Sequence, residues 1–266
     1  MPRAPDPALR DFIAQELAAP VLPEVAAFAA DLAARPGVAA VLFYGSCLQR
    51  TTTEGMLDFY VLTDMTDGPQ PYGQNAISAL AGRALPPNVY PEDFGDLRAK
   101  AAIVTVSGFR ARMVPTRIDT TFWARFCQRA ALVWVRDDAA RNAAIDAVAA
   151  AVESGAIWAA RLSPGSEGTA AWRGLFAHTY KVEIRVEGPG RAADIVGADE
   201  DRFAALWPLT ATARATAPAK RPGAWILRRV MGKILHISRL LKAAFTFAGG
   251  PSYLIWKIRR HRGKQR

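Results

Sequence analysis

Two strand-length apolar runs lie close together early in the chain, and the second carries an aspartate in its middle. Val38-Ala39-Ala40-Val41-Leu42-Phe43-Tyr44 and Met56-Leu57-Asp58-Phe59-Tyr60-Val61-Leu62 are rich in β-branched and aromatic residues and bounded by Gly and polar turns. That pattern predicts two buried strands. A lone carboxylate inside such an element loses hydration worth several kcal/mol or is forced neutral. A cation, a set of hydrogen bonds or an open cleft has to offset the loss at Asp58.

Around these strands the sequence predicts a compact α+β unit. FIAQELAAPVLPEVAAFAADLAA is helical in period, and Pro20 and Pro23 break it into two helices. After the second strand, MTDGPQPYGQN reads as a loop and AISALAGRAL as a short helix ending before Pro86-Pro87. Residues 99–106 form another strand candidate, followed by a Ser-Gly turn. Beyond Thr116 the pattern turns mainly helical. TTFWARFCQRAALVWV reads as a helix running into a short apolar segment, and residues 137–162 as one long Ala-rich helix. After the polar break Ser163–Gly168 come two further helices and an APAKRPG linker. The expected organisation is a core over 1–115, a mainly helical second subdomain over 116–216 that contributes to the site, and a tail over 217–266.

The charge is unevenly placed. Of 34 Lys and Arg, 13 lie in residues 220–266, leaving 21 against all 24 acidic residues in 1–219, a balance of −3 there within a total of +10. Cys47 and Cys127 lie far apart, and His178, His236 and His261 are equally dispersed, which argues against a zinc site or a disulfide framework and suits a reducing compartment. MPRAPDPALRDF has no apolar h-region, so no signal peptide is expected, and no run reaches the roughly 20 apolar residues of a membrane span.

A strand ending in Gly45-Ser46, a turn, then a strand bearing Asp58 is a pattern suited to nucleotide transfer. Glycine lets the backbone approach a phosphate, the serine hydroxyl bonds one, and a carboxylate on the neighbouring strand holds Mg²⁺ against a triphosphate. Mg²⁺ would offset the desolvation of Asp58 and stabilise charge on a pyrophosphate leaving group. The structural alternative is a turn beside a hydrogen-bonded buried aspartate.

These residues resemble the DNA polymerase beta-like nucleotidyltransferases, with Tyr60 where that signature has a second Asp or Glu. More narrowly, Tyr44-Gly45-Ser46, Met56-Leu57-Asp58-Phe59 and Asp64 resemble the motif of the mitochondrial translocator assembly and maintenance family, which are phosphatidate cytidylyltransferases. Lys100 opening an apolar strand, Trp123 with Arg125, and Tyr180-x-x-Glu183-x-Arg185 follow in the same order. The resemblance spans roughly residues 38–187. It implies a nucleotidyltransferase-like mixed sheet with flanking helices, a helical second subdomain of winged-helix type, and a C-terminal amphipathic helix.

The resemblance further implies that Gly45 and Ser46 cradle phosphates, that Asp58 holds Mg²⁺ with Asp64 or Glu183 as partner, and that Lys100 and Arg125 neutralise phosphate charge. Tyr180 and Arg185 join the nucleotide or lipid contacts. Each residue keeps a plainer reading: Lys100 as a strand-edge lysine, Glu183 and Arg185 as a cross-strand ion pair, Asp64 as a strand end, Tyr60 as packing.

The tail RPGAWILRRVMGKILHISRLLKAAFTF has its own periodicity. On a 100° wheel Ile226, Leu227, Val230, Ile234, Ile237, Leu241 and Phe245 gather on one side, and Arg228, Arg229, Lys233, His236, Arg239 and Lys242 on the other. A basic face opposite an apolar one fits a helix lying in the plane of an anionic membrane surface, each basic residue contributing about 1 kcal/mol. Tyr253 and Trp256 are candidate interface anchors. Nucleic acid ranks second as a partner, because the apolar face is too continuous for a solvated phosphate-binding arm.

The expected activity is therefore transfer of CMP from CTP to phosphatidic acid, with Mg²⁺, by a cytoplasmic protein peripheral on the inner face of a membrane. Two alternatives stay open: a nucleotidyltransferase acting on a protein, a nucleic acid or a soluble phosphate, and a non-catalytic membrane-binding protein.

Overall fold

The computed structural model describes residues 4–64, 86–180, 182, 195–218 and 222–246, with the side chains of the last helix through Arg239. Its centre is a mixed five-stranded sheet in the order β3-β4-β2-β1-β5. The strands are β1 (Val38–Tyr44), β2 (Met56–Thr63), β3 (Asn88–Phe94), β4 (Leu97–Thr105) and β5 (Ala130–Val135). β1 runs antiparallel to both β2 and β5, β2 parallel to β4, and β3 antiparallel to β4.

Period-two alternation gives the sheet two buried faces. Val41, Phe43, Phe59, Val61, Ala101 and Ile103 face α2 (Pro23–Ala33). Leu42, Tyr60, Leu62, Ala102 and Val104 face α1 (Pro7–Leu17) and the helices that follow the sheet. Both early helices open on proline, which is pre-set for the first turn. Asp6 caps α1 by accepting from the Ala8 amide at 3.0 Å.

The chain continues through α3 (Ser46–Gln49), α4 (Val106–Arg110) and α5 (Thr121–Phe126). α6 (Asp138–Leu162) comes next, capped by Asp137, which accepts from the Ala140 amide at 2.8 Å. By length and composition the 25-residue α6 could cross a bilayer, yet it is the largely buried central helix of the large core. α7 (Gly168–Tyr180), α8 (Glu200–Leu209) and α9 (Ala211–Thr216) pack around it, and α10 (Ala224–Thr246) follows.

The α+β expectation holds, with three differences in detail. The sheet does not stop at residue 115: β5, expected only as a short apolar segment, pairs with β1 from Ala40↔Val135 to Tyr44↔Ala130. Its partner is about ninety residues away in sequence, so no local turn signals it. β3 was not expected either, because NVYPEDF carries Pro91 and two acids, a composition tolerated only on an edge strand. The Ser-Gly turn after β4 is α4, capped by the Thr105 hydroxyl at 3.0 Å from the Gly108 amide. The helix expected over AISALAGRAL lies outside the described residues, and so does the extended VEIRVE beyond Val182.

One core also spans the expected boundary at 116, since it joins one sheet face to α5, α6, α7 and α8. A buried arginine reinforces the join: Arg202 on α8 pairs with Glu16 on α1 and donates from Nη1 to the Cys127 carbonyl at 2.9 Å.

α10 packs with its faces inverted relative to a core helix. Trp225, Arg228 and Gly232 are buried against the body, and Arg239 is half-buried. Ile226, Leu227, Val230, Ile234 and Ile237 point away from it with 46% to 69% of their surface exposed. The side read from the sequence as the basic face is thus divided. Arg228 and Arg239 turn inward, while Arg229 and Lys233 stay exposed.

Candidate active site

The turn after β1 decides what Asp58 touches. Gly45 has φ +89°, a left-handed conformation, and a Cβ placed on it would lie 2.9 Å from Asp58 Oδ2. Any side chain would strain the backbone and push the carboxylate aside. Glycine therefore brings the backbone against the Asp58 carboxylate and lets α3 begin at Ser46. Cys47 holds that turn to β2, its thiol 3.5 Å from the Met56 carbonyl. Burial and, next, the Asp58 charge push the Cys47 thiol up, so it is no nucleophile at neutral pH.

Strand register builds the rest of the row. Asp58 lies opposite Tyr44 on β1 and opposite Lys100 on β4, so the three side chains share one face. Asp58 and Lys100 are both half-buried. Burial raises the Asp58 carboxyl above its ordinary value, and the charges of Lys100 and Arg125 act against that rise without cancelling it.

Two residues further along β2, on the same face, Tyr60 is fully buried. Its ring stands 4.9 Å from Phe126, 5.8 Å from Phe122 and 6.0 Å from Phe109. Its hydroxyl accepts from Arg125 Nη1 at 3.0 Å. Arg125, on α5, also stands over the rings of Tyr44 at 5.4 Å and Tyr60 at 5.9 Å. The position that carries a second carboxylate in the broad two-carboxylate signature is here a packed tyrosine that orients a cation.

The structure brings together Gly45, Ser46, Asp58, Lys100 and Arg125. It does not bring Asp64 to Asp58. Six residues of strand separate them, about 20 Å, and Asp64 is exposed and paired with Arg136. Its amide donates to the Gly37 carbonyl at 3.0 Å, which closes the far end of β2. Tyr180 ends α7, half-buried against the large core. Trp123 is fully buried in the large core. Glu183 and Arg185 lie outside the described residues.

Among the described residues no three His, Cys, Asp or Glu side chains converge as a metal cluster. Mg²⁺ is commonly held by one or two carboxylates together with substrate phosphates. Asp58, desolvated and held against a glycine turn, supplies the one carboxylate that such a site requires. The donor set therefore fits Mg²⁺ arriving with a polyphosphate. Sequence reasoning missed Tyr44 as a member of the row. The available signal was its place before Gly45, at the end of a strand pairing with the one that carries Asp58.

No protein-family model matches the chain. No curated protein matches it either. Among solved structures the chain is similar to a nucleotidyltransferase-like protein from Exiguobacterium sibiricum 255-15, at 11% identity and a TM-score of 0.29, over 88% of this chain and 78% of that one.

Proposed function

We propose that the chain is a nucleotidyltransferase that passes CMP from CTP to phosphatidic acid at an anionic membrane surface, giving CDP-diacylglycerol and pyrophosphate. The observation that carries the transferase reading is the contact between Gly45 and Asp58, with Lys100 in register beside the carboxylate. A carboxylate desolvated by burial, with two cations that do not cancel the cost, is expensive unless a ligand uses it. The choice of CTP and phosphatidate is supported by the resemblance of residues 44–64 to the cytidylyltransferase motif.

In this reading the Gly45 backbone and the Ser46 hydroxyl receive phosphate oxygens. Asp58 would hold Mg²⁺, which when bound supplies charge neutralisation on the triphosphate. Lys100 and Arg125 balance charge on the polyphosphate and the lipid phosphate. An oxygen of the phosphatidate monoester attacks the α-phosphorus of CTP, a new P–O–P bond forms, and the bond to the β-phosphate breaks. The electron pair leaves with pyrophosphate. Because the monoester is already ionised near neutral pH, no strong general base is required.

The membrane half of the proposal is supported by α10. Five large aliphatic side chains remain exposed on a helix that has turned polar and aromatic residues to the body. Residues 220–266 hold 13 basic residues and no acidic ones. An exposed apolar stripe with cationic flanks suits a peripheral protein on the inner, anionic face of a membrane.

The test incubates purified protein with α-labelled CTP, Mg²⁺ and phosphatidate-containing vesicles, with protein, nucleic acid and soluble phosphate acceptors in parallel. Label in the lipid fraction supports the proposal. Label in another acceptor keeps the transferase and replaces the lipid, and label in none, with folding intact, removes the enzyme.

A further inference from the structure

We propose that α10 is a rigid platform and not a tethered anchor, with Arg228 and Arg239 as positioning residues that fix the pose of the Asp58 site over an anionic lipid bilayer. The inference rests on the membrane reading above and adds the geometry by which it would work.

The helix is pinned at both ends of its described face. At the first end the Trp225 ring packs 5.0 Å from Trp158, and the Arg228 guanidinium stands 4.4 Å over the same Trp158 ring. Arg228 Nη2 also donates to the Pro115 carbonyl at 3.0 Å. In the middle, Gly232 allows an approach that no larger residue would, since an added Cβ would lie 2.2 Å from Val182 Cγ1. At the other end Arg239 donates from Nε to the Pro86 carbonyl at 3.1 Å and from Nη1 to the Thr121 hydroxyl at 3.3 Å, and it pairs with Asp119. From Trp225 to Arg239 the pins span about 21 Å of helix, too long a lever to swing freely.

The far pin lands beside the site. Asp119 and Thr121 stand at the start of α5, and Arg125 of the same short helix holds the Tyr60 hydroxyl. Half-buried Asp119 would by burial alone be raised, but Arg239 and hydrogen bonds from Arg239 and Thr121 hold its carboxyl below the ordinary value. A flexible anchor needs neither arginines turned inward nor a glycine contact on its protein side. The occupant of the outward stripe is taken as a bilayer because exposed Arg229 and Lys233 flank it and the tail carries no acid. The body, with a balance of −3 over residues 1–219 (21 basic against 24 acidic), adds no comparable counter-charge for a second copy.

The experiment labels Arg98→Cys, exposed near the start of β4, with a donor dye, the native cysteines being buried. Energy transfer is read to a headgroup acceptor in mixed phosphatidate and phosphatidylcholine vesicles. Two variants in that background unpin α10 by different routes: Arg228→Gln with Arg239→Gln removes the polar pins, and Gly232→Ile removes no charge. The platform predicts vesicle affinity within about twofold of the parent, a changed and broadened transfer efficiency, and at least a tenfold lower turnover of vesicle-borne phosphatidate. Turnover of a short-chain soluble acceptor should stay within twofold.

Unchanged transfer efficiency in both variants overturns the platform while leaving the membrane reading in place. A parent protein that does not bind vesicles, or that doubles its mass through the stripe instead, removes the membrane reading and the platform together. If vesicles bind but no acceptor is turned over, the energy-transfer result still decides the platform.

Discussion

Arg125 donates from Nη1 to the hydroxyl of Tyr60 at 3.0 Å, across 65 residues of sequence. The contact explains why a tyrosine can stand two residues after Asp58 on the same strand face. The phenol, inside its aromatic cage, accepts from the Arg125 guanidinium, which also stands over the Tyr44 and Tyr60 rings.

Tyr60→Phe keeps the cage and removes the acceptor. The expected loss is about 1 kcal/mol, or a fall of about 2–4 °C in melting temperature for a chain of this size. Tyr60→Asp should not create a second metal ligand. It leaves a cavity and a charge in a fully buried site, a combination costing at least about 3–5 kcal/mol. Thermal unfolding of both variants checks this, and a well-folded Tyr60→Asp protein would contradict it.

Gly45→Ala meets two penalties at once, a left-handed backbone costing roughly 1–2 kcal/mol and a methyl group 2.9 Å from Asp58 Oδ2. The variant should melt several degrees lower and lose CMP transfer by more than its folded fraction explains. A variant with the parent rate would mean that the contact does not position the carboxylate.

Asp58→Asn should stabilise the ligand-free protein at neutral pH. The folded carboxyl is raised, chiefly by burial, so the folded state binds the proton more tightly than the unfolded state. Below the unfolded value of about 3.9 both states are protonated and there is no penalty. As pH climbs through the raised folded value the ionised carboxylate becomes a full penalty, and stability falls. The gain from asparagine should therefore be present at pH 7 and close as pH drops toward the unfolded value. Denaturant unfolding at several pH values measures it, and equal stability at pH 7 would contradict the burial argument.

Ile234→Asp alters the outward stripe alone, at a residue 50% exposed. Stability should shift by no more than about 0.5 kcal/mol. Partitioning onto anionic vesicles should weaken by roughly 10-fold or more, since burying an isoleucine is worth about 1.5–3 kcal/mol. Sedimentation with vesicles reads the effect, and undiminished binding would take the stripe out of the interface.

The strands β1, β2 and β4 and the helix α6 were legible because each is one apolar or periodic run with its own boundaries. β3 was not, since Pro91, Glu92 and Asp93 disguise an edge strand, and β5 was not, since its partner β1 is remote in sequence. The Gly45, Asp58 and Lys100 grouping was legible as a motif, but the register that puts Lys100 beside Asp58 was not. Asp64 follows Asp58 by six residues on an uninterrupted strand, so their separation was implicit in the β2 assignment although motif order suggests a pair. For α10 the periodicity separated two faces, and only packing shows that Trp225, Arg228 and Arg239 face inward.

Transfer of α-labelled phosphate from CTP to phosphatidate, compared between Asp58→Asn and Asp64→Asn, tests the central claim most directly. Asp58→Asn should lose at least about 100-fold, the order expected when a group stabilising transition-state charge is removed. Asp64→Asn, which loses only an exposed ion pair with Arg136, should stay within about threefold, because such a pair contributes about 0–1 kcal/mol to stability. Equal losses in the two variants, or full transfer by Asp58→Asn, would contradict a reaction centred on Asp58 and Lys100.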